Sequence, residues 1–247
     1  MVEDLLNVYR NAGKNTVKSL KAAPGLILLP LGLGLLYFLV MNFVGPFVLR
    51  GGLLSGILLA LIEALLLTLA YSLYQEAIVY KRMPRNISIS QDNFWSVYSV
   101  LFIFMLINLV TAMTGPLKLF IPLLLTIILN PIPEAIYLRG ERYTGAFEFS
   151  LRFMKENSLH FILPFLIYIG ILSFITPIGV AMLHLGSNIM ELPFGIPFQA
   201  KTGDFSALGI YVICQLITGV YLIFRGQLFL ILENSSRRKR KYMEEWK

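Results

Sequence analysis

Six long apolar runs alternate with short polar gaps, at roughly Pro24–Val48, Gly52–Gln75, Trp95–Thr114, Pro116–Leu138, Leu159–Leu185 and Ser206–Glu233. A bilayer core about 30 Å thick takes roughly 20 apolar helical residues per crossing, so each run predicts one transmembrane helix. Two further segments have a different pattern. Residues 2–22 set Val2, Leu5, Leu6, Tyr9, Val17 and Leu20 at near-helical spacing, with Arg and Lys between them. That predicts an amphipathic helix lying in the membrane interface, ended by Pro24. Residues 143–158 set Phe147, Leu151 and Met154 on one face, and Glu148–Arg152 and Arg152–Glu156 are i,i+4 pairs. These features predict a second surface helix ahead of the fifth run. The greasy Leu192-Pro193-Phe194-Gly195-Ile196-Pro197-Phe198, between the last two runs, reads as a packed loop.

The fold class that follows is all-α: a polytopic membrane protein with six transmembrane helices and short interfacial helices. One membrane domain covers 1–247, as an interfacial amphipathic helix at 1–23, a six-helix bundle at 24–233 and a basic tail at 234–247. Composition agrees, since 57% of the residues are hydrophobic, above the ~45–50% of soluble domains.

Charge sets the orientation. Seventeen of the 21 basic residues lie before the first run, in the second-to-third and fourth-to-fifth gaps, or after the last run. The opposite gaps hold Arg50, Lys118 and Lys201, and Arg225 lies within a run. Basic residues mark the cytoplasmic side, so an even number of crossings with the N-terminus and C-terminus cytoplasmic is expected. The net charge of +7 then points to anionic lipid headgroups, contacted by Arg237, Arg238, Lys239, Arg240 and Lys241, and not to nucleic acid. Asn86-Ile87-Ser88 and Asn234-Ser235-Ser236 match the glycosylation pattern but fall on that cytoplasmic side.

Polar groups inside the runs are the candidate intramembrane site. Ionisable residues at membrane depth are costly and point to function by default. Glu63 is central in the second run, with Asn108 of the third as a possible partner. The readings are a proton or cation site, or an interhelical hydrogen bond. Asn130-Pro131-Ile132-Pro133-Glu134 breaks the fourth run, because prolines remove backbone donors and release upstream carbonyls. It reads as a gate or as a kinked helix exit. Counting ~1.5 Å per residue from the outer ends places Glu134 and Arg225 at about the same depth, which predicts an ion pair; the alternative is an Arg225 that snorkels to the headgroups. Glu76-Ala77-Ile78 recurs as Glu134-Ala135-Ile136, a pattern that a helical-hairpin repeat would leave.

Signatures of catalysis are missing. The two histidines, His160 and His184, form no HExxH; Gly13-Lys14-Asn15-Thr16 lacks the upstream glycine of a phosphate loop; Gly52-Leu53-Leu54-Ser55-Gly56 is not a nucleophile elbow. Thr202-Gly203-Asp204 is a poor intramembrane aspartyl site. The lone Cys214 allows no internal disulfide and suggests no metal site. No cofactor is called for.

Two stretches resemble known families. Ala146, Ser150, Met154, Lys155 and Asn157, followed by an apolar run from Phe161, look like the cytoplasmic helix of uncharacterised bacterial six-span membrane proteins. Those are similar to the membrane domain of glycerophosphodiester phosphodiesterases. The resemblance implies six helices and no known reaction. Glu134-Ala135, with Gly140 six residues after the glutamate and Leu163-Pro164 later, resembles the coupling motif of ABC-importer permeases. It departs from that motif at Ile136 and in the late position of Leu-Pro. The expectation is a non-enzymatic subunit or scaffold of a transport-related assembly in a bacterial-type plasma membrane, with a protein partner at its cytoplasmic face. The alternatives are a small-solute or ion transporter using Glu63 and the broken fourth run, and an intramembrane enzyme.

Overall fold

Prolines and glycines punctuate this chain, and the backbone follows them. The computed structural model describes residues 2–48, 53–82, 90–111, 117–176 and 205–234. Among these residues every regular element is a helix. Helix α1 (Val2–Ala22) opens on Glu3 and Asp4 and closes on Lys21, charges that complement its dipole. Pro24 starts a short 3-10 helix, Pro24–Leu28, which turns the chain into α2 (Leu29–Val48). Then come α3 (Leu53–Val79), α4 (Gln91–Thr111), α5 (Leu117–Ile128), α6 (Ile132–Tyr137), α7 (Thr144–Ile175) and α8 (Phe205–Asn234). The Ser90 hydroxyl accepts the Asn93 N–H at the start of α4, an N-cap.

Five stretches are long and apolar enough to cross a membrane: Pro24–Phe43, Ser55–Val79, Gln91–Thr111, Thr144–Ile175 and Leu208–Asn234. They make the chain a membrane-embedded helical protein. The fourth expected crossing, Pro116–Leu138, is not one long helix. It is α5, of 12 residues, and α6, of 6 residues, parted at Leu129–Pro131. At ~1.5 Å per residue α5 alone extends only ~18 Å. Pro131 and Pro133 have no N–H to continue the ladder, and a tight turn replaces it, with Ile132 N–H on the Leu129 carbonyl at 3.0 Å. Gly140, at φ +77°, then lets the Glu141 N–H return to the Ala135 carbonyl at 2.9 Å.

The surface helix expected at 143–158 and the fifth run are one helix with a joint. Asn157 inside α7 leaves helical geometry, at φ −126° and ψ 18°. The buried face of its first half is Ala146, Phe149, Ser150, Phe153 and Met154, not the expected Phe147–Leu151–Met154 stripe: Leu151 is exposed. The aromatic residues decide this rotation, since Phe149, Phe153, Phe161 and Phe229 form one cluster with centroids 4.9–6.4 Å apart. Neither expected i,i+4 ion pair forms among the described residues; Arg152 lies over the Phe149 ring instead.

Helix α8 is the axis of the bundle, packing on α1, α2, α3, α7 and the 3-10 helix. Two glycines allow this. A Cβ at Gly219 would run into the backbone of Ile27, and one at Gly226 would meet Ile78 and the Tyr137 hydroxyl. The most extensive interface is between α8 and α1. The helix docks by a different face from the one that carries its large apolar residues. Helix α1 buries the small stripe Val8, Ala12, Thr16, Ser19 and Ala23, whose short side chains let two backbones approach. The larger Leu6 and Val17 of the expected face remain 63% and 51% exposed.

Candidate functional site

Helix α8 brings Arg225 into the break between α5 and α6. Its Nη2 donates to Glu134 Oε2 at 2.7 Å and to the Asn130 carbonyl at the break. The expected pairing of Glu134 with Arg225 is therefore present, and the guanidinium does not snorkel: it is 2% exposed and the carboxylate 1%. The prolines release backbone, the arginine supplies the missing donor, and the carboxylate balances its charge. A buried charge without such partners is expensive. Phe161 covers the group from α7, with the guanidinium carbon 5.3 Å from its ring centroid.

Tyrosines wall this group. Tyr71 stacks on Tyr137 at 5.0 Å, and Tyr168 stacks on Tyr221 at 4.1 Å while its hydroxyl bonds Thr218 at 2.8 Å. Tyr71, Tyr74, Tyr137, Leu222 and Pro133 line a crevice beside Glu134 and Arg225 that has no room for a water-sized sphere. Among the described residues, several polar atoms in it lack a close hydrogen-bond partner: both side-chain amide atoms of Asn130, Nε and Nη1 of Arg225 and the Tyr74 hydroxyl.

The candidate residues thus divide. Asn130, Glu134 and Arg225 meet. Glu63 and Asn108 do not belong to that group. Glu63 Oε1 accepts the Tyr37 hydroxyl of α2 at 3.0 Å, and Asn108 is exposed. The acid's partner is a tyrosine from the preceding helix, not the asparagine of the following one. Arg237, Arg238, Lys239, Arg240 and Lys241 lie outside the described residues, as do the Leu192–Phe198 segment and Asn86-Ile87-Ser88.

Sequence reasoning missed the other polar links of α8 and α1. Gln227, two residues after Arg225, donates through Nε2 to the Ser19 hydroxyl of α1 at 3.0 Å and to the Ile78 carbonyl of α3 at 2.9 Å. Its signal was an uncharged polar residue in an apolar run, which by default makes an interhelical hydrogen bond. A second link starts from Pro164 inside α7. Having no N–H, Pro164 leaves the carbonyl four residues back, on His160, without its helical donor. The Tyr9 hydroxyl of α1 takes it at 3.0 Å, and Asp4 meets His160 Nε2 at 3.2 Å. Burial pushes the Tyr9 hydroxyl up to about 12.

Ion pairs gather at one end of the bundle. Arg82 meets Glu76 at 2.8 Å, Arg142 meets Asp92 at 2.7 Å, and Arg139 joins Glu141 and Glu233. The hydrogen bonds that Arg139 donates to Glu141 and to Glu233 push its guanidinium up. Arg139 also lies over Phe149, 4.4 Å from the ring centroid. Among the described residues no cluster of three or more metal-ligating side chains occurs. A scan of family models, a search of curated proteins and a search of solved structures each return no match.

Proposed function

We propose that this chain is a six-span subunit of a bacterial-type plasma membrane, with both termini cytoplasmic, and that it serves as a non-enzymatic scaffold in a transport-related assembly. One observation carries the reading: the charged group at membrane depth is dry and is spent inside the chain. Glu134 and the Asn130 carbonyl both engage Arg225 Nη2 across the α5–α6 break, and the crevice beside them has no room for a water-sized sphere. A solute or ion path needs wet, accessible polar groups; a frame needs fixed ones. In this reading the broken α5–α6 segment is the fourth crossing, shortened by its prolines. The end that carries the Arg82, Arg139 and Arg142 ion pairs faces the cytoplasm, in line with the 17 basic residues of the sequence.

A second reading rests on Glu63. Its carboxylate, half-buried in α3 and held by one tyrosine, is the acid a proton- or cation-coupled transporter would use. Proteoliposomes loaded with a pH- or cation-sensitive dye separate the two. The scaffold reading expects no protein-dependent flux and the same trace for Glu63→Gln; a flux abolished by Glu63→Gln overturns it in favour of transport. Orientation has its own measurement. In whole cells, a Lys201→Cys variant reacts with an impermeant thiol reagent and an Arg142→Cys variant does not; the reverse pattern overturns the topology.

A further inference from the structure

The docking of α1 leaves a groove. It lies between α1, the 3-10 helix, α7 and α8, has a volume of roughly 680 Å³, and is walled by Val17, Leu20, Ile167, Ile171, Ile217 and Val220 among others. That volume is in the range of ligand sites, ~300–1,000 Å³. The polar atoms that reach it are turned away: the Tyr9 hydroxyl is bonded to the His160 carbonyl and the Tyr168 hydroxyl to Thr218. What remains open is almost wholly apolar, long, and at membrane depth along α7 and α8.

Beyond the first turn of α1, which carries Glu3 and Asp4, the charge beside it is one-signed. At about 100° per residue, α1 has three faces. Val8, Ala12, Thr16, Ser19 and Ala23 are buried in the bundle. Tyr9, Gly13, Val17 and Leu20 line the groove. The next face round, beyond Val17, carries Arg10, Lys14, Lys18 and Lys21, all exposed. After Asp4, which is engaged by His160, α1 has no acidic residue. A greasy slot therefore borders a row of cations on the same helix.

We propose that the groove holds an acyl chain of an anionic phospholipid whose headgroup lies against Arg10, Lys14 and Lys21. An apolar slot alone would take any hydrocarbon, and the adjoining cations select the negative headgroup. The site is built from no residue of the basic tail, and it requires only a membrane-embedded chain with α1 at headgroup level. It therefore stands whether the bundle is a scaffold or a transporter.

Native mass spectrometry of the delipidated protein in detergent tests this, with dioleoyl phosphatidylglycerol and dioleoyl phosphatidylcholine as probes. The unaltered protein should retain one phosphatidylglycerol at collision energies that strip phosphatidylcholine. Val220→Trp with Ile167→Trp fills the slot and should abolish that retention. Arg10→Gln, Lys14→Gln and Lys21→Gln together should remove the headgroup preference, by roughly fivefold per charge. These three positions are exposed, so this variant decides the matter even if the filled one fails to fold. A third variant, with Arg237–Lys241 all changed to Gln, should keep the preference. The proposal is overturned if the filled variant retains phosphatidylglycerol like the parent, if the α1 charge variant keeps its preference, if only the tail variant loses it, or if a stoichiometric polypeptide leaves with the groove's occupancy.

Discussion

The tripeptide Glu-Ala-Ile occurs twice, at 76–78 on α3 and at 134–136 on α6, and the two copies end differently. In both, the Ala and Ile are buried. In both, the glutamate meets an arginine at nearly the same distance, 2.8 Å for Glu76–Arg82 and 2.7 Å for Glu134–Arg225. Yet the first pair is 28% and 65% exposed, the second 1% and 2%. Equal geometry has unequal consequence. A pair in water gains little, because solvent and salt screen it. A pair in a dry bundle is held by the cost of separating it. Helix α8 reads both copies with three consecutive residues: Arg225 takes Glu134, Gly226 fits against Ile78 and Tyr137, and Gln227 takes the Ile78 carbonyl.

The largest test breaks the buried pair. Arg225→Gln strands a carboxylate and a carbonyl in the bundle and should cost about 3–5 kcal/mol, read as a large drop in thermal stability in detergent. Glu134→Gln should cost a similar amount, since it leaves a buried guanidinium that cannot lose its proton without its counter-charge. The double variant should lose less than the sum of the two; strictly additive losses would mean the residues are not coupled. A middle-sized test separates close packing from charge. Gly219→Ala drives a methyl into the Ile27 backbone, which cannot step aside, and should cost ~1–3 kcal/mol. Gly226→Ala meets the mobile end of Ile78 and the Tyr137 hydroxyl, so it should lose less stability than Gly219→Ala; a larger loss at Gly226 would show that the α8 contact with the two repeats is the tighter one. The smallest test is Arg82→Gln, expected to leave the melting temperature unchanged within error at any salt concentration. A loss comparable to that of Arg225→Gln would erase the contrast.

Much of this was legible in the sequence, for physical reasons that differ by element. Charges in apolar runs are rare enough that depth counting favoured Glu134 as the partner of Arg225, without excluding Glu63, Glu76 or snorkelling. The prolines marked the α5–α6 break, and the boundary expected near 158 is within two residues of the non-helical Asn157. The docking face of α1 was not legible. Large apolar residues dominate a hydrophobicity pattern, but the face that α1 buries is made of Val8, Ala12, Thr16 and Ser19, most of which the pattern counts as weak or polar. Tyr37 as the partner of Glu63 was missed for a related reason. A tyrosine in an apolar run reads as bulk, and its hydroxyl declares itself only when a carboxylate stands opposite.

The seating of α1 on α8 sets a timetable for making the protein. Ser19 and Gln227 are 208 residues apart, so α1 is translated well ahead of α8, the helix it packs on most. At ~5–20 residues per second, the ribosome takes about 10–40 s to bridge that interval. During that time α1 can meet α3 and α7 but not α8, and the α5–α6 break has no Arg225. The full seating of α1 and the filling of the α5–α6 break therefore both wait on α8.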